Sequence, residues 1–188
     1  MSRTPRLFVV SGPSGAGKGT LVSLVREQHP DLGLTVSATT RQPRPGEVDG
    51  VSYHFLSKEE FASRVEAGDF LEWANVHGNC YGTLRSEVDR NLEAGRSVIL
   101  EIDVQGALNV RKVYPDAVLV FIEPPSMEVL EQRLRGRGTE DEQSLELRLA
   151  DAAGEMEKAN EYDERIVNDD LQEACAELLR VLDSHEMN

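Results

Sequence analysis

The chain has 188 residues, a length that suits one well-filled core and is too short for two ordinary domains. Its formal net charge of −14 disfavours nucleic acid or an anionic membrane as the main partner, whereas binding of a small anion depends on local charge. No apolar run approaches the roughly 20 residues of a membrane-spanning helix, and the short apolar stretch near the N-terminus does not resemble a secretion signal, so we expect a cytoplasmic protein.

A strand, a glycine-rich loop and a helix are predicted in succession at the start of the chain. Residues 6–11, RLFVVS, form a β-branched and aromatic run that is typical of a buried strand. Beyond the glycines, apolar side chains fall on one helical face from Leu21 to Val25, and Pro30 marks the end of the helix. This order is the setting in which a phosphate-binding loop occurs.

The loop itself, SGPSGAGKGT, matches the pattern G-x-x-x-x-G-K at Gly12, Gly17 and Lys18. Its backbone N–H groups and the positive end of the following helix suit phosphate oxygens, and Lys18 supplies a point charge for the terminal phosphates of a nucleotide. A glycine-rich turn without a ligand is the alternative. We prefer the nucleotide-binding loop because the spacing, the lysine and the strand–helix setting coincide.

The residue after this lysine departs from the pattern. A Ser or Thr hydroxyl reaches the magnesium ion from this position in the full motif, but the chain has Gly19, and Thr20 lies one residue later. Magnesium tolerates the loss because it keeps several waters and is often held mainly by substrate phosphates. We therefore expect a loop that binds the nucleotide and holds the metal more loosely, and we assign no direct protein ligand to the metal.

Residues 35–96 have a different pattern and are predicted to form a mixed-strand insert on the main sheet. Two strand-like runs, LTVSATT and VSYHFLS, flank the turn-rich stretch RQPRPGEVDG. The next segment opens with a capping box of Ser57 and Glu60 and ends at Gly68, which predicts a short helix. FLEWANV is predicted to be another strand, and TLRSEVDRNLEAG another capped helix.

Buried strands alternate with helical patterns in the remaining chain. The expected strands are SVILEID (97–103), AVLVFIE (117–123) and RIVN (165–168). Their continuous apolarity indicates a sheet that is covered on both faces. The predicted fold is therefore α/β, with a parallel sheet sandwiched between helices and right-handed crossovers. We expect one domain over 5–185, with a core of 5–34 and 97–185.

Two arginines lie close together in the turn-rich stretch of the insert. Arg41 and Arg44 occur in a segment stiffened by prolines, and two fork-shaped guanidinium groups suit a phosphate dianion. Tyr53 and Tyr81 could each add a phenolic hydrogen bond to it. The alternative is a solvated surface with no ligand, which these two arginines alone do not exclude.

A second group of arginines lies nearer the C-terminus. Arg133, Arg135 and Arg137 lie in or just after a predicted helix, next to glycines, and Arg148 follows on the next helix. A glycine-hinged segment that carries arginines in an acidic protein suggests a short helical lid closing on phosphates, at about 126–149. The alternative is a basic helix end favoured by its dipole, which explains one or two arginines better than four.

Seven sequence blocks occur in one order along nearly the whole chain: VVSGPSGAGKGT, SATTRQPRPGEVDGVSYHF, FLEWANVHGNCYGT, ILEIDVQGA, FIEPPS, LRGRGTEDE and IVNDDL. In these blocks and their separations the chain resembles guanylate kinases, a family of P-loop nucleoside monophosphate kinases. The resemblance implies reversible transfer of the γ-phosphoryl group of MgATP to GMP or dGMP, in purine nucleotide recycling. It implies ATP and GMP as substrates and Mg²⁺ as the cofactor, and it leaves the oligomeric state open.

The same resemblance implies a role for each matching residue. The residues around ATP would be Gly12, Pro13, Ser14, Gly15, Ala16, Gly17, Lys18, Gly19, Thr20, Arg133, Arg137 and Asn168. The residues around GMP would be Ser37, Arg41, Arg44, Tyr53, Glu72, Tyr81, Thr83, Asp103 and Arg148. The residues that act on the transfer itself would be Lys18, Arg41, Arg137 and Arg148. The insert would then be the GMP-binding part of the fold.

Ser37, Glu72 and Thr83 would face the guanine base, and the chemistry of Glu72 agrees. A carboxylate accepts two hydrogen bonds from the ring N–H and the exocyclic amino group of guanine, whereas adenine offers no donors there. AMP would leave a buried carboxylate unpaired, and pairing of this kind discriminates by roughly 10⁴ or more. The alternative is a strand glutamate paired with a nearby arginine. Asp103 would lie between the acceptor nucleoside and the metal, and Asn168 near the adenine.

Three other functions are compatible with parts of the sequence. An adenylate-type kinase, or a kinase for a phosphorylated sugar, would share the loop, but the sugar kinase would have no use for Glu72 at a base. A non-catalytic guanylate-kinase-like module would bind a phosphorylated protein partner through Arg41, Arg44 and Tyr53. The intact loop and the lid arginines argue against that module.

Overall fold

The computed structural model describes residues 3–76, 78–136 and 142–187. Within them the strands are β1 (Leu7–Ser11), β2 (Ala38–Thr39), β3 (His54–Phe55), β4 (Phe70–Val76), β5 (Asn79–Leu84), β6 (Val98–Glu101), β7 (Val118–Glu123) and β8 (Glu164–Val167). The helices are α1 (Lys18–Gln28), α2 (Lys58–Ala67), α3 (Arg85–Glu93), α4 (Val104–Val113), α5 (Met127–Gly136), α6 (Glu142–Glu157) and α7 (Leu171–Glu186), and a 3₁₀ turn covers Lys158–Glu161. Among these described residues, the helices include none that is both long and apolar enough to cross a membrane.

The main sheet is parallel and has the strand order β6–β1–β7–β8. Successive side chains of β1 alternate between two cores, with Phe8 and Val10 packing against the layer that contains α1 and α7, and Leu7 and Val9 against the layer that contains α4. Both faces of β1 and β7 are therefore buried, which is why these strands have no polar alternation in the sequence. The predicted α/β sandwich is confirmed.

The insert forms a second sheet of its own, in the order β3–β2–β5–β4. This sheet is mixed, because β2 pairs parallel with β3 and antiparallel with β5, while β4 and β5 are antiparallel. The expectation that the insert strands lie on the main sheet is therefore wrong. Ala38, Phe61, Phe70 and Leu84 form a small separate core between α2 and the β4–β5 pair, which gives these strands a face to bury away from the main sheet.

The capping box predicted for α2 is confirmed, and α7 also begins with a side-chain cap. Ser57 and Glu60 make both hydrogen bonds of the capping box at the start of α2, and Asp170 accepts hydrogen bonds from two backbone N–H groups at the start of α7. Helix α3, also predicted to be capped, ends before Gly95, which has φ = +76°, but it has no side-chain cap at its start. That helix follows β5 directly at Leu84, which makes no side-chain cap, because Thr83 belongs to the strand and directs its hydroxyl elsewhere.

Asn91 connects the insert to the main sheet through four hydrogen bonds. Its amide nitrogen donates to the carbonyl oxygens of Leu34 (2.9 Å) and Glu87 (2.8 Å), and its amide oxygen accepts from Nε (3.1 Å) and Nη2 (2.9 Å) of Arg96. The side chain is buried. Because Leu34 immediately precedes the insert and Arg96 is its last residue, Asn91 holds both chain ends of the insert together.

Replacement of Asn91 by alanine should destabilise the protein. The variant leaves buried polar groups without partners, so we expect the free energy of unfolding to fall by about 2 kcal/mol and the melting temperature by roughly 4–8 °C. Thermal unfolding followed by circular dichroism measures the effect. Asn109→Ala, at an exposed site on α4, is the matched control because it gains the same helix propensity. Equal stability of the two variants would contradict the role of Asn91.

Candidate functional site

The glycine-rich loop lies between β1 and α1, at the edge of the sheet where parallel strands end. Gly12 has φ = +139°, and a Cβ atom there would lie 2.2 Å from the carbonyl oxygen of Ile122 on β7. Gly17 has φ = +90°, and its Cβ would lie 2.5 Å from Nδ2 of Asn168. Only glycine fits either position, so the loop is packed tightly against the sheet and its backbone path is fixed.

Lys18 is folded over this loop. Its Nζ donates hydrogen bonds to the carbonyl oxygens of Gly12 (2.6 Å) and Pro13 (3.0 Å), at the first residues of the loop. The ammonium group is thereby held above the turn whose N–H groups would face phosphate oxygens. This is the position in which the sequence pattern expects a cation for the terminal phosphates.

Two of the expected lid arginines reach the loop region from different helices. Nη1 of Arg148, on α6, donates to Oγ of Ser14 (3.2 Å), and Nη2 of Arg133, on α5, donates to the carbonyl oxygen of Asn168 (2.8 Å). The side chain of Asn168 in turn donates to the carbonyl oxygen of Ala16 (2.8 Å). The structure therefore brings Arg133, Arg148 and Asn168 together around the loop. The predicted site residue Arg137 lies outside the described residues.

A cavity of about 330 Å³ opens beside the loop. It is lined by Gly15, Gly17, Thr20, Arg133, Asn168, Asp169 and Leu171. The first five of these residues are ones that the resemblance places around ATP. Asn168 lies at the boundary of this cavity and supports the loop backbone, which is compatible with the expected position near the adenine.

Arg41 is held firmly in the insert. Its Nη1 and Nη2 donate to Oε2 and Oε1 of Glu47 at 2.9 and 2.7 Å, a bidentate pair. The guanidinium carbon lies 5.4 Å from the ring centroid of Tyr53 and 5.8 Å from that of Phe55. The hydrogen bonds that Arg41 donates to Glu47, aided by one with Tyr81, raise the pKa of Arg41 above its usual value.

Glu47 is a site residue that the sequence reasoning missed. Its Oε2 also accepts a hydrogen bond from the backbone N–H of Arg44 (2.6 Å), so that one carboxylate joins both arginines of the predicted phosphate site. The hydrogen bonds from Arg41 and Arg44 lower the pKa of Glu47 to about 2. The signal was the R-x-x-R-x-x-E spacing across a turn, which brings the glutamate back to both arginines.

Glu72 lies on β4, opposite Thr83 on β5. The hydroxyl of Thr83 donates to Oε1 of Glu72 (2.8 Å), so two of the three residues expected at the base are in contact. Partial burial raises the pKa of Glu72, the hydrogen bond from Thr83 opposes this, and the charge of Asp103 adds to it. Ser37, the third residue, precedes β2, and its carbonyl oxygen accepts from the N–H of His54 (2.9 Å).

Asp103 follows β6 and is close enough to Glu72 on β4 and to Glu155 on α6 for its charge to act on both carboxyl groups. It is the N-cap of α4, where its Oδ1 accepts a hydrogen bond from the N–H of Gly106 (2.8 Å), and α4 packs against β4. Its charge raises the pKa of Glu72 on one side and contributes to a raised pKa of Glu155 on the other. The expected position of Asp103 between an acceptor nucleoside and the metal stays a prediction.

Glu155 on α6 is a further acidic residue near the loop that the sequence reasoning missed. Burial raises its pKa, whereas the positive charge of Lys18 opposes that rise. Asp103 and Asp151 add to the rise. The half-buried carboxyl group of Glu155 is therefore close enough to Lys18 for the two charges to interact. No local pattern in the sequence signals this interaction, because 137 positions separate the two residues.

A family profile, curated relatives and a solved structure that match this chain are all described as guanylate kinases. The profile of the family described as "Guanylate kinase" matches residues 4–185. The guanylate kinase of Synechococcus sp. (strain CC9311) is 54% identical over 173 residues, covering 92% of this chain and 91% of that protein. That of Clostridium perfringens (strain SM101 / Type A) is 51% identical over 176 residues, covering 94% and 82%. The crystal structure of guanylate kinase from Anaplasma phagocytophilum has a TM-score of 0.71 at 33% identity, covering 100% of this chain and 88% of that one.

Replacement of Glu47 by alanine should weaken binding of a phosphorylated ligand in the insert. Without its bidentate partner Arg41 loses its fixed orientation, so we expect the affinity for GMP to fall about 10-fold, while the affinity for guanosine, which has no phosphate, stays unchanged. Calorimetric titration measures both. Glu66→Ala, an exposed glutamate on α2, is the matched control. Tighter GMP binding in Glu47→Ala would mean that the carboxylate competes with the phosphate instead of orienting Arg41.

Proposed function

The chain belongs to the guanylate kinase family and is a nucleoside monophosphate kinase, and on this premise we propose that its insert binds GMP while its loop binds MgATP. The observation that carries the assignment is the contact between Glu72 and Thr83, in an insert that also holds the arginine pair. A half-buried carboxylate beside a phosphate site suits a nucleotide whose base offers two neighbouring N–H donors. A cytoplasmic location stays a prediction.

Recognition of GMP would be divided between the two ends of the nucleotide. Glu72 would accept hydrogen bonds from the guanine ring N–H and amino group, with Ser37 and Thr83 beside it. Arg41 and Arg44 would bind the phosphate, and the tyrosines that pack around Arg41 would add phenolic donors. Glu47 fixes the arginines before the ligand arrives, which reduces the ordering cost of binding.

The transfer itself would need alignment and charge neutralisation more than proton chemistry. The second pKa of a phosphomonoester is about 6, so the attacking oxygen of GMP is ionised at neutral pH and no general base is required. Lys18 and Arg148, which both contact the loop, would neutralise the charge that develops on the transferring group. Arg137 is expected to join them from the lid. Such donors act most strongly when their positions are fixed in advance.

The residues at the loop fit a magnesium ion. Carboxylate oxygens are ligands that Mg²⁺ prefers, and it binds through one or two of them together with substrate phosphates. Glu101 ends β6 and Asp103 follows it, at the edge where β1 enters the loop, so carboxylates are available beside the expected phosphate positions. When bound, the metal would neutralise charge on the ATP phosphates.

The contacts around Glu72 and the loop argue against the three other functions: an AMP kinase, a sugar-phosphate kinase and a non-catalytic module. A kinase for AMP would leave Glu72 opposite a purine edge without donors, and a sugar-phosphate kinase would give Glu72 and Thr83 no base to contact. A non-catalytic phosphoprotein-binding module would need neither the contacts of Lys18 with the loop nor those of Arg148. A titration of ATP into wild type and Lys18→Ala separates this module from a kinase, since a kinase requires a large loss of ATP affinity in the variant.

Glu72→Gln should abolish the preference for GMP. Glutamine presents one donor where guanine also donates, so we expect GMP turnover to fall at least 100-fold while ATP affinity is retained. Release of ADP measured with GMP, dGMP, AMP and ribose bisphosphate at saturating MgATP gives the specificity directly. The Lys18→Ala variant is the matched control, because it should show the reverse pattern: it should lose affinity for ATP and keep affinity for GMP. Unchanged GMP turnover in Glu72→Gln, or a wild type that prefers AMP, would overturn the assignment.

The raised pKa of Glu72 predicts a pH dependence of GMP binding. GMP requires the ionised carboxylate, so its affinity should decline as pH falls toward that pKa, beginning at a higher pH than for an ordinary glutamate. The ratio of wild-type to Glu72→Gln affinities cancels the titration of the phosphate itself. Calorimetry between pH 5 and 8 should show this ratio falling with acidification. A ratio independent of pH would contradict the role of Glu72.

The free energy of unfolding should depend on pH in the opposite direction to the affinity for GMP, as far as Glu72 contributes to both. A carboxyl group whose pKa is raised by folding stabilises the folded state most below its unfolded pKa, and this contribution is lost as pH rises through the folded pKa. Ionised Glu72 is therefore a stability cost at neutral pH in the unliganded protein. Glu72→Gln should unfold at the same or a higher denaturant concentration than wild type at pH 7.

A further inference from the structure

Glu87 is a buried carboxylate to which none of the binding roles above refers. It lies in the first turn of α3, the helix that follows β5 directly, and the residue is only 4% exposed. A carboxylate buried to this extent costs free energy unless hydrogen-bond donors surround it. The donors that reach Glu87 therefore show which parts of the insert it holds.

Three donors surround the carboxylate of Glu87. Its Oε2 accepts hydrogen bonds from the backbone N–H of Val36 (3.1 Å) and from Nη2 of Arg90 (2.8 Å), and its Oε1 lies 3.3 Å from Nε2 of His54. An ionised carboxylate can only accept, so Nε2 of His54 carries the hydrogen. The carboxylate thus joins α3 to the segment before β2 and to β3.

Ser37 lies between the two points that Glu87 holds. On its N-terminal side the N–H of Val36 is bound to Glu87, and on its C-terminal side the carbonyl oxygen of Ser37 accepts from the N–H of His54 (2.9 Å). The ring of that histidine contacts the same carboxylate. The backbone on both sides of Ser37 is therefore restrained by one side chain of α3.

The other two residues expected at the base are held in a different way. Glu72 and Thr83 face each other in the ladder of β4 and β5 and share a hydrogen bond. Ser37 precedes β2, a strand of only two residues, which restrains the chain before it weakly. The position of Ser37 relative to Glu72 and Thr83 therefore depends on side-chain contacts, and those of Glu87 are the ones on either side of it.

We propose that Glu87 is a positioning residue for base recognition, which fixes the backbone at Ser37 so that its hydroxyl is in place before the nucleotide binds. The inference rests on the proposed function, because it concerns the guanine base of GMP in the insert. The carboxylate is occupied by protein donors and buried, so it acts through Ser37 and not by contact with the ligand. A side chain ordered in advance costs less to engage.

A double-mutant cycle between Glu87 and Ser37 tests the proposal. Glu87→Gln keeps the shape of the side chain but turns an amide NH₂ toward donors, so GMP affinity should fall about 10-fold when the serine hydroxyl is present. In the Ser37→Ala background there is no hydroxyl to misplace, so the same change should alter GMP affinity by less than about twofold. Calorimetric titration of GMP into the four proteins measures the cycle. Glu93→Gln, an exposed glutamate of the same helix, is the matched control.

Turnover gives a second measurement. Glu87→Gln should raise the KM for GMP about 10-fold and leave kcat at saturating GMP within about threefold of wild type, because the change weakens binding of substrate and transition state alike. Its affinity for ATP should equal that of wild type, since the loop is a separate part of the fold. A fall in kcat as large as the rise in KM would contradict a role confined to the base.

The cycle also has outcomes that would overturn the proposal. An equal loss of GMP affinity with and without the hydroxyl of Ser37 would show that Glu87 acts on the fold and not through Ser37, and no loss in either background would remove its role. Should Glu87→Gln not fold, Glu87→Asp, which keeps the charge on a shorter side chain, enters the same cycle. Loss of ATP binding in both variants would also count against a specific effect. Failure of the proposed function would appear separately, as a wild type that binds GMP no better than AMP.

Discussion

The close packing of the loop against the main sheet is the constraint on which the site depends. Gly12 approaches the backbone of Ile122 so tightly that a single methyl group would collide with it, and Gly17 is equally close to Asn168. The loop therefore has one path, and α1 begins where that path ends. Because parallel strands end at one edge, the residues that leave β1 and β6 are brought beside each other there.

A molecule with a net charge of −14 has to concentrate its cations to hold two anionic nucleotides. The structure does this by drawing them from separate elements: Lys18 from α1, Arg133 from α5, Arg148 from α6 and Arg41 from the insert. Each of these side chains is held by hydrogen bonds to the protein. Donors fixed in this way need little reorganisation when charge develops, which is how electrostatic stabilisation of a transition state arises.

The parts of the structure that the sequence predicts correctly are those determined by residues close together in the chain. The loop, the buried strands and the capping box at Ser57 depend on residues close in sequence, and the structure has them where expected. Strand β5 was missed because NCYGTL lacks an apolar alternation and is stabilised by its pairing with β4. The insert's separate sheet was missed because a sequence pattern shows that a strand exists but not which neighbour it takes. The residue roles at the site came from the family resemblance and stay predictions.

Two acidic residues near the expected phosphate positions were not predicted, although Glu72 and Asp103 were, because each acts on a partner that its own segment does not identify. Glu47 holds Arg41 across a turn, and Glu101 reaches Gly19 from a neighbouring strand. A carboxylate in a phosphate-binding region lowers affinity for bare phosphate, so its presence must serve something else. Glu47 orients Arg41, and Glu72 would suit the donor edge of guanine. We therefore expect the positive groups to provide affinity for the two nucleotides and the negative groups to provide selectivity between them and other ligands.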